Sequence, residues 1–160
     1  WKEHLAARLG HELERSASFD QDLVLLLLAL DAKQAAEGYD FRLLAKQVLE
    51  VFPFKDLAFE YDARTCAVIL PDKDLAQGLR EAKAFRKKFT GRISAGLSAR
   101  NGRLINATRL LLESSKALAK AEAAGAGSIV AFQADPTRFR EALVAGATSS
   151  PASASAPRGA

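Results

Sequence analysis

Hydrophobic positions along the chain change between helical and strand-like spacing. Leu5, Leu9 and Leu13 recur every four residues between charged residues, which predicts an amphipathic helix over residues 2–16. The run Leu23–Leu30 contains only apolar residues and is flanked by charged ones. Its length favours a buried central strand, although its leucines would also suit a helix.

The middle of the chain predicts a helix, a hairpin and a second helix. Apolar residues keep helical spacing over residues 41–52, and Pro53 ends that helix. Short strands over residues 55–61 and 65–70 are separated by a few residues, which is typical of a hairpin. The next apolar stripe, over residues 75–89, follows Pro71 and a capping aspartate, either Asp72 or Asp74.

The last part of the chain continues the alternation. Residues 93–97 alternate as in a half-buried strand, and a helical stripe runs from Leu104 to Ala121. Residues 128–132 predict a last strand, and residues 134–145 a short C-terminal helix. The order of elements predicts an α/β domain over residues 1–133 with a central mixed sheet of about five strands. Residues 146–160 contain no large apolar side chain, so we expect a disordered tail.

Composition narrows the classes of function. The 160 residues suit one domain, and the single cysteine and two histidines argue against disulfides and zinc. The net charge of +4 owes much to a basic cluster. We expect a solvated helix face there and no nucleic-acid binding, because no aromatic residues are interleaved. The cluster consists of Lys83, Arg86, Lys87, Lys88 and Arg92.

Location is predicted from what the chain lacks. The longest apolar run has eight residues and cannot cross a bilayer, and no signal peptide is visible, so we expect no membrane contact and a cytoplasmic location. The chain starts at Trp1 without a methionine, which is typical of a piece of a longer protein, and any membrane anchor would then lie outside this sequence.

Four segments, in order, resemble the GGDEF (diguanylate cyclase) family of bacterial signalling proteins. They are residues 12–30, the hairpin sequence EYDARTCAVILP at 60–71, the strand SAGL at 94–97 and the helix end at 117–125. The resemblance implies the palm-like fold of nucleotidyl cyclases. Active members join two GTP molecules into cyclic di-GMP, with acidic residues holding Mg²⁺ against the triphosphate.

The resemblance also implies where the functional residues should stand. In the signature hairpin, Asp62 and Ala63 replace two glycines, Arg64 and Thr65 replace the acidic pair, and Cys66 replaces a phenylalanine. A buried structural thiol is the favoured interpretation of Cys66, against a nucleophile, because no histidine lies nearby in sequence.

Further positions depart from the family pattern. Ala29 stands at the metal-holding aspartate of the first strand, and Asp31 at the second aspartate of that stretch. Glu122 replaces a lysine that would face phosphate. At the inhibitory product site Asp56 is present, as a solvated or capping residue in our interpretation, but Pro53 replaces the arginine.

These replacements lead to three hypotheses. The first is a domain that is not an enzyme, without metal or cofactor, and serves as a structural, dimerising or partner-binding module. The second is a non-catalytic sensor of GTP or cyclic di-GMP, with Arg64, Asp31 and Lys33 as contacts. A solvated hairpin tip is the commoner interpretation of Arg64, and phosphate binding the alternative. The third is an active cyclase with unusual ligands.

Overall fold

A computed structural model of the chain describes residues 2–133. The helices are α1 (Lys2–Ser18), α2 (Ala32–Ala36), α3 (Phe41–Val51), α4 (Leu75–Lys88) and α5 (Ala107–Ala124). The strands are β1 (Leu23–Leu30), β2 (Ala58–Asp62), β3 (Thr65–Pro71), β4 (Ile93–Ala99) and β5 (Ile129–Ala131). Among the described helices, none combines the length and apolar character that crossing a membrane requires.

The five strands form one mixed sheet in the order β2-β3-β1-β4-β5. The β4–β5 pair is parallel and the other pairs are antiparallel. The leucine run is the central strand β1, which confirms that interpretation. With β3 on one side and β4 on the other, its backbone groups have partners on both edges.

Strand β1 separates two apolar layers. Its side chains alternate between the faces of the sheet, as the pleat of a strand requires. Val24, Leu26 and Leu28 belong to the layer under α3 and α4. Leu25 and Leu27 belong to the layer under α1 and α5. Since every residue of β1 is buried, a continuous apolar run is what a strand covered on both faces needs.

Several predicted boundaries change. Helix α5 begins at Ala107 instead of Leu104, because the Asn106 side chain accepts the Arg109 N–H and caps the helix there. Leu104 therefore lies in the preceding loop, 93% exposed. The short helix α2 was not predicted, and residues 55–57 form a 3-10 turn ahead of β2 instead of its first residues. The predicted C-terminal helix and tail lie outside the described residues.

Helix α4 begins with the cap expected from the sequence, and the structure selects Asp74 over Asp72. The Asp74 carboxylate accepts the Gln77 N–H, and the Gln77 side chain accepts the Asp74 N–H in return. This reciprocal capping box satisfies two backbone donors that the helix would otherwise leave without partners.

Candidate functional site

The candidate site lies where β1 ends beside the tip of the β2–β3 hairpin. The Leu30 N–H donates to the carbonyl of Arg64 at 2.8 Å, which extends the β1–β3 pairing to the hairpin tip. Across β4, the Asp31 N–H donates to the carbonyl of Arg92 at 2.9 Å. Asp31, Asp62, Ala63 and Arg64 are thereby brought to one end of the sheet.

Arg64 joins three elements at this end. Its Nη1 donates to the Leu30 carbonyl at 2.6 Å and to Glu122 Oε2, on α5, at 3.1 Å. Both side chains of the Arg64–Glu122 pair are about one-third exposed. The sequence interpretation of Arg64 as a solvated hairpin residue is therefore wrong, because its guanidinium is bound within the chain.

The hairpin turn does not need the two glycines that the resemblance would place in it. The Arg64 N–H donates to Asp62 Oδ1 at 2.9 Å, so the Asp62 side chain closes the turn. The register shifts between Glu60 and Asp62, which marks a bulge. Neither Asp62 nor Ala63 is among the described residues with positive φ. The alanine therefore fits this turn without backbone strain.

Three further positions are buried or already hydrogen-bonded. Ala29 is buried in β1, opposite Thr65 of β3 and Ser94 of β4. Thr65 is itself buried. Asp31 caps α2 by accepting the Gln34 N–H at 3.2 Å, and it lies 3.6 Å from Arg92 Nη2. Asp31 thus holds the short helix and the start of β4 together.

Cys66 is buried on β3, which confirms the expectation of a core thiol. Burial raises the pKa of the thiol to about 12, and the nearby carboxylates Glu60 and Asp62 add to that rise. A thiol with so high a pKa is almost wholly protonated near neutral pH. Since the thiolate is the nucleophile, the geometry favours a structural role.

The positions that the resemblance assigns to a product site lie away from the hairpin tip. Pro53 is exposed, and Asp56 is in the 3-10 turn with an exposed carboxylate. Arg8 of α1 donates to Asp56 Oδ2 at 3.0 Å and to Glu12 Oε2 at 3.2 Å. Asp56 is therefore ion-paired, where the sequence interpretation had it solvated or capping.

A buried polar cluster at the opposite end of the sheet was missed from the sequence. Glu113 of α5 is 1% exposed and accepts hydrogen bonds from Ser98, Arg103 and Arg109. Burial alone would raise the pKa of Glu113, but these hydrogen bonds and the Arg103 charge outweigh it and lower the pKa. The i,i+4 spacing of Arg109 and Glu113 was the available signal.

The described residues contain no group of three or more His, Cys, Asp or Glu side chains placed to hold a metal ion. Glu122 is the carboxylate that contacts the hairpin tip, and its partner is a cation. This end of the sheet therefore presents an ion pair, Arg64–Glu122, beside a hydrogen-bonded turn.

Comparison by sequence gives few relatives. No family model matches the chain. An uncharacterized protein of Treponema pallidum (strain Nichols) is 34% identical over 80 residues, which are 48% of this chain and 43% of that protein. The chain thus matches less than half the length of this relative.

Comparison by structure gives strong matches. The active GGEEF domain of a diguanylate cyclase from Vibrio cholerae has a TM-score of 0.71 at 17% identity, over 82% of this chain and 96% of that one. The GGDEF domain of PA1120 (TpbB or YfiN) from Pseudomonas aeruginosa has a TM-score of 0.72 at 18% identity, over 85% and 91%. The diguanylate cyclase SiaD of Pseudomonas aeruginosa, in complex with its activator SiaC, has a TM-score of 0.67 at 21% identity, over 79% and 56%.

These likenesses correct one expectation. The conclusion that the chain is not an enzyme is wrong, because its fold is closely similar to that of a GGEEF domain described as active. Replaced side chains at aligned positions were too narrow a basis for that conclusion. The resemblance in four sequence segments and the sheet order β2-β3-β1-β4-β5 agree: the chain has the fold of GGDEF domains.

Proposed function

We propose that this domain works in cyclic di-GMP signalling as a protein-contact module, and that its contact surface is the end of the sheet around Arg64. The surface comprises the hairpin tip at residues 62–64 and helix α2 beside it. The observation that carries the proposal is the engagement of Arg64 by Glu122 and by the Leu30 carbonyl.

The engaged arginine supports a protein contact over a nucleotide site. An arginine that binds phosphate presents its donors outward in a fork. Here Nη1 of Arg64 is directed to two acceptors of the same chain. The bond to Asp62 and the bonds of Asp31 hold the neighbouring backbone in place. A rigid surface of this kind loses little conformational entropy when a partner binds.

The exposed side chains at this end carry both signs of charge. Lys33 and Arg92 are basic, whereas Glu37 and Asp62 are acidic, and all four are exposed. Mixed polar groups of this kind are typical of the rim of a protein interface. SiaD, which has the same fold, forms a complex with its activator SiaC, and that complex is a precedent for a partner of this chain.

Nucleotide titration tests the proposal directly. GTP and cyclic di-GMP are added to the full chain with Mg²⁺, and binding is followed by calorimetry and by the melting temperature. We expect Arg64→Ala to leave the binding heat and the shift in melting temperature at millimolar nucleotide as they are in the wild type, where a ligand at a hundred times its Kd adds about 2.7 kcal/mol. Cyclic di-GMP formation is assayed in the same samples, because the fold is shared with an active domain.

The variants decide where any binding occurs. Arg64→Ala is compared with Arg8→Ala. The control also removes an ion-paired arginine, but on α1 and not at the hairpin tip. A nucleotide-dependent shift of several degrees that Arg64→Ala abolishes and Arg8→Ala keeps would overturn the contact surface. It would favour the nucleotide-sensor hypothesis, or a cyclase if product accumulates.

A second copy of the chain is the first partner to test, because mixed charges at one surface can be self-complementary. Sedimentation velocity over a range of concentrations measures self-association. Ala63→Glu places a charge on the exposed hairpin tip, and Ala7→Glu places one on the exposed side of α1 as its control. We expect Ala63→Glu to weaken association and Ala7→Glu to leave it unchanged. Equal effects of both variants would speak against this surface.

A further inference from the structure

Helix α4 carries the whole excess of positive charge in the chain. It contains five basic residues and one acidic residue, a net +4, and the net charge of the full sequence is also +4. The other residues of the chain are therefore balanced in formal charge. A field concentrated on one helix differs from the scattered charges of an ordinary solvated surface.

Three of these cations form a ridge along the outward side of the helix. Gly78, Ala82 and Phe85 are the buried side of α4. At 100° per residue, Arg80, Lys83 and Lys87 lie on the opposite side, and all three are exposed. They follow one another by one helical turn and span about 10 Å. We call these three residues the basic ridge.

The ridge has no internal partner within residues 2–133. The ion pairs there leave out all three side chains, and the acidic residue of α4, Glu81, lies 3.7 Å from Lys73. Arg86, on the flank of the helix, donates to the Gly127 carbonyl at 2.7 Å. Among the described residues, the ridge cations differ from Arg86 in having no hydrogen-bond or ion-pair partner.

Stability of the helix does not account for the ridge. Cations in the last turn, such as Lys87 and Lys88, interact favourably with the partial negative charge of a helix C-terminus. Arg80 and Lys83 lie too far from that end to gain from it. Moreover, Lys83 and Lys87 are four residues apart, where like charges repel and destabilise a helix.

We propose that the basic ridge binds an acidic segment of another protein, whose carboxylates are spaced one helical turn apart. Ion pairing is the chemistry that the ridge offers, because the exposed apolar residues of α4, Ala76 and Ala84, are both small. A membrane-surface helix would need large apolar side chains on that side. Single-stranded nucleic acid would need aromatic platforms, which the exposed side of α4 lacks.

This surface is distinct from the one around Arg64, so the two proposals fail independently. The ridge variants leave Arg64, Glu122 and α2 unchanged, and the Arg64 variants leave α4 unchanged. Loss of acidic-segment binding in the ridge variant alone thus bears on the ridge only.

The test uses two labelled helical peptides of identical composition. In one, glutamates recur at three- and four-residue spacing along one side; in the other, they are placed on alternate sides. Binding to the full chain is measured by fluorescence anisotropy at low and at high salt. The ridge variant is Arg80→Glu/Lys83→Glu/Lys87→Glu. The control, Lys46→Glu/Lys116→Glu/Lys120→Glu, makes the same change of charge at exposed positions of α3 and α5.

We expect the one-sided peptide to bind at least about tenfold more tightly than its isomer, and the ridge variant to lose that binding. The control variant should keep most of it, and salt should weaken it. Equal binding of the two peptides, or equal loss in both variants, would overturn the proposal, since net charge alone would then explain the affinity. Tighter binding of duplex DNA or of phosphatidylserine vesicles at the same ridge would overturn it as well. Circular dichroism of both variants verifies that they are folded.

Discussion

Arg64 on the hairpin tip and Glu122 near the end of α5 form an ion pair at 3.1 Å, although 58 positions separate them in sequence. The resemblance to GGDEF domains would place an acidic residue at position 64 and a lysine at position 122. The two charges are therefore exchanged relative to the family pattern, and in this chain they attract one another. Tyr61 adds a second tie, with its hydroxyl 3.2 Å from that of Ser115 on α5.

The exchange of charges can be reversed experimentally. Arg64→Glu and Glu122→Lys should each destabilise the domain, because each leaves two like charges facing one another. The double variant should recover the pair energy, about 0.2–1 kcal/mol for partly exposed charges. Recovery should be incomplete, since the Leu30 carbonyl loses its donor and faces a carboxylate.

The measurement is the free energy of unfolding in urea for the four proteins, which gives a double-mutant cycle. The same cycle in high salt is the control, because screening should reduce the coupling of charges near the surface. A coupling of zero at low salt would show that the pair contributes nothing to the docking of the hairpin on α5.

Helix α5 packs closely on β4 at Gly96. A Cβ at this position would lie 2.1 Å from the Leu118 backbone nitrogen and 2.7 Å from the Ser114 carbonyl oxygen. Because backbone atoms cannot turn aside as a side chain can, Gly96→Ala should push the helix away from the sheet. We expect a loss of stability of about 3 kcal/mol or more, or a failure to fold.

Gly10→Ala is the matched control for that substitution. Gly10 lies inside α1, and a Cβ there would meet no atom within 4 Å. Alanine in a helix interior should stabilise by up to about 1 kcal/mol. Urea unfolding of both variants compares the two glycines. If Gly96→Ala proved as stable as Gly10→Ala, the close approach at Gly96 would be contradicted.

Most of the fold could be predicted from the sequence because its elements are encoded locally. The eight apolar residues of β1 and the leucines of α1 each carry their own periodicity. The start of α5 was placed too early because Leu104 continues the helical spacing. The cap at Asn106, a single side-chain contact, decides where that helix begins.

The candidate site was harder to predict because its contacts join distant parts of the chain. Alignment to a family motif placed Arg64 at the hairpin tip, but nothing local indicated that Glu122 would reach it. The Glu113 cluster shows the same limit, since Ser98 and Arg103 come from β4 and the following loop. Pairing across such distances depends on how helices pack on the sheet.

Cys66 should be nearly inert toward thiol reagents in the folded protein. With its pKa raised to about 12, only about one thiol in ten thousand is ionised at pH 8, and the group is also buried. We expect reaction with Ellman's reagent at least about a thousandfold slower in the folded chain than in urea, where the pKa returns to about 8.5.

The control places a thiol on the same hairpin but in solvent. Ala63→Cys in a Cys66→Ala background gives a cysteine at an exposed position three residues away from the buried one. In the folded protein, this cysteine should react with Ellman's reagent about as fast as Cys66 does in urea. If the native Cys66 reacted as fast as this exposed cysteine, the thiol would have to lie in solvent or in a frequently open part of the sheet.

The Glu113 cluster predicts acid sensitivity. Burial works to raise the pKa of Glu113, but hydrogen bonds from Arg103, Ser98 and Arg109 lower it below the value in an unfolded chain. A carboxyl with a lowered pKa stabilises the fold above its unfolded pKa, near 4.3, and loses that contribution as pH falls through the folded pKa.

Glu113→Gln keeps the shape but removes the charge, so it should cost about 2–4 kcal/mol at pH 7. That cost should shrink as the pH is lowered from 5 to 3. Unfolding in urea across this range measures it, with Glu14→Gln, an exposed glutamate of α1, as the control that should change little at any pH. A difference between wild type and Glu113→Gln that stayed constant from pH 7 to 3 would mean that the carboxylate charge does not hold the cluster together.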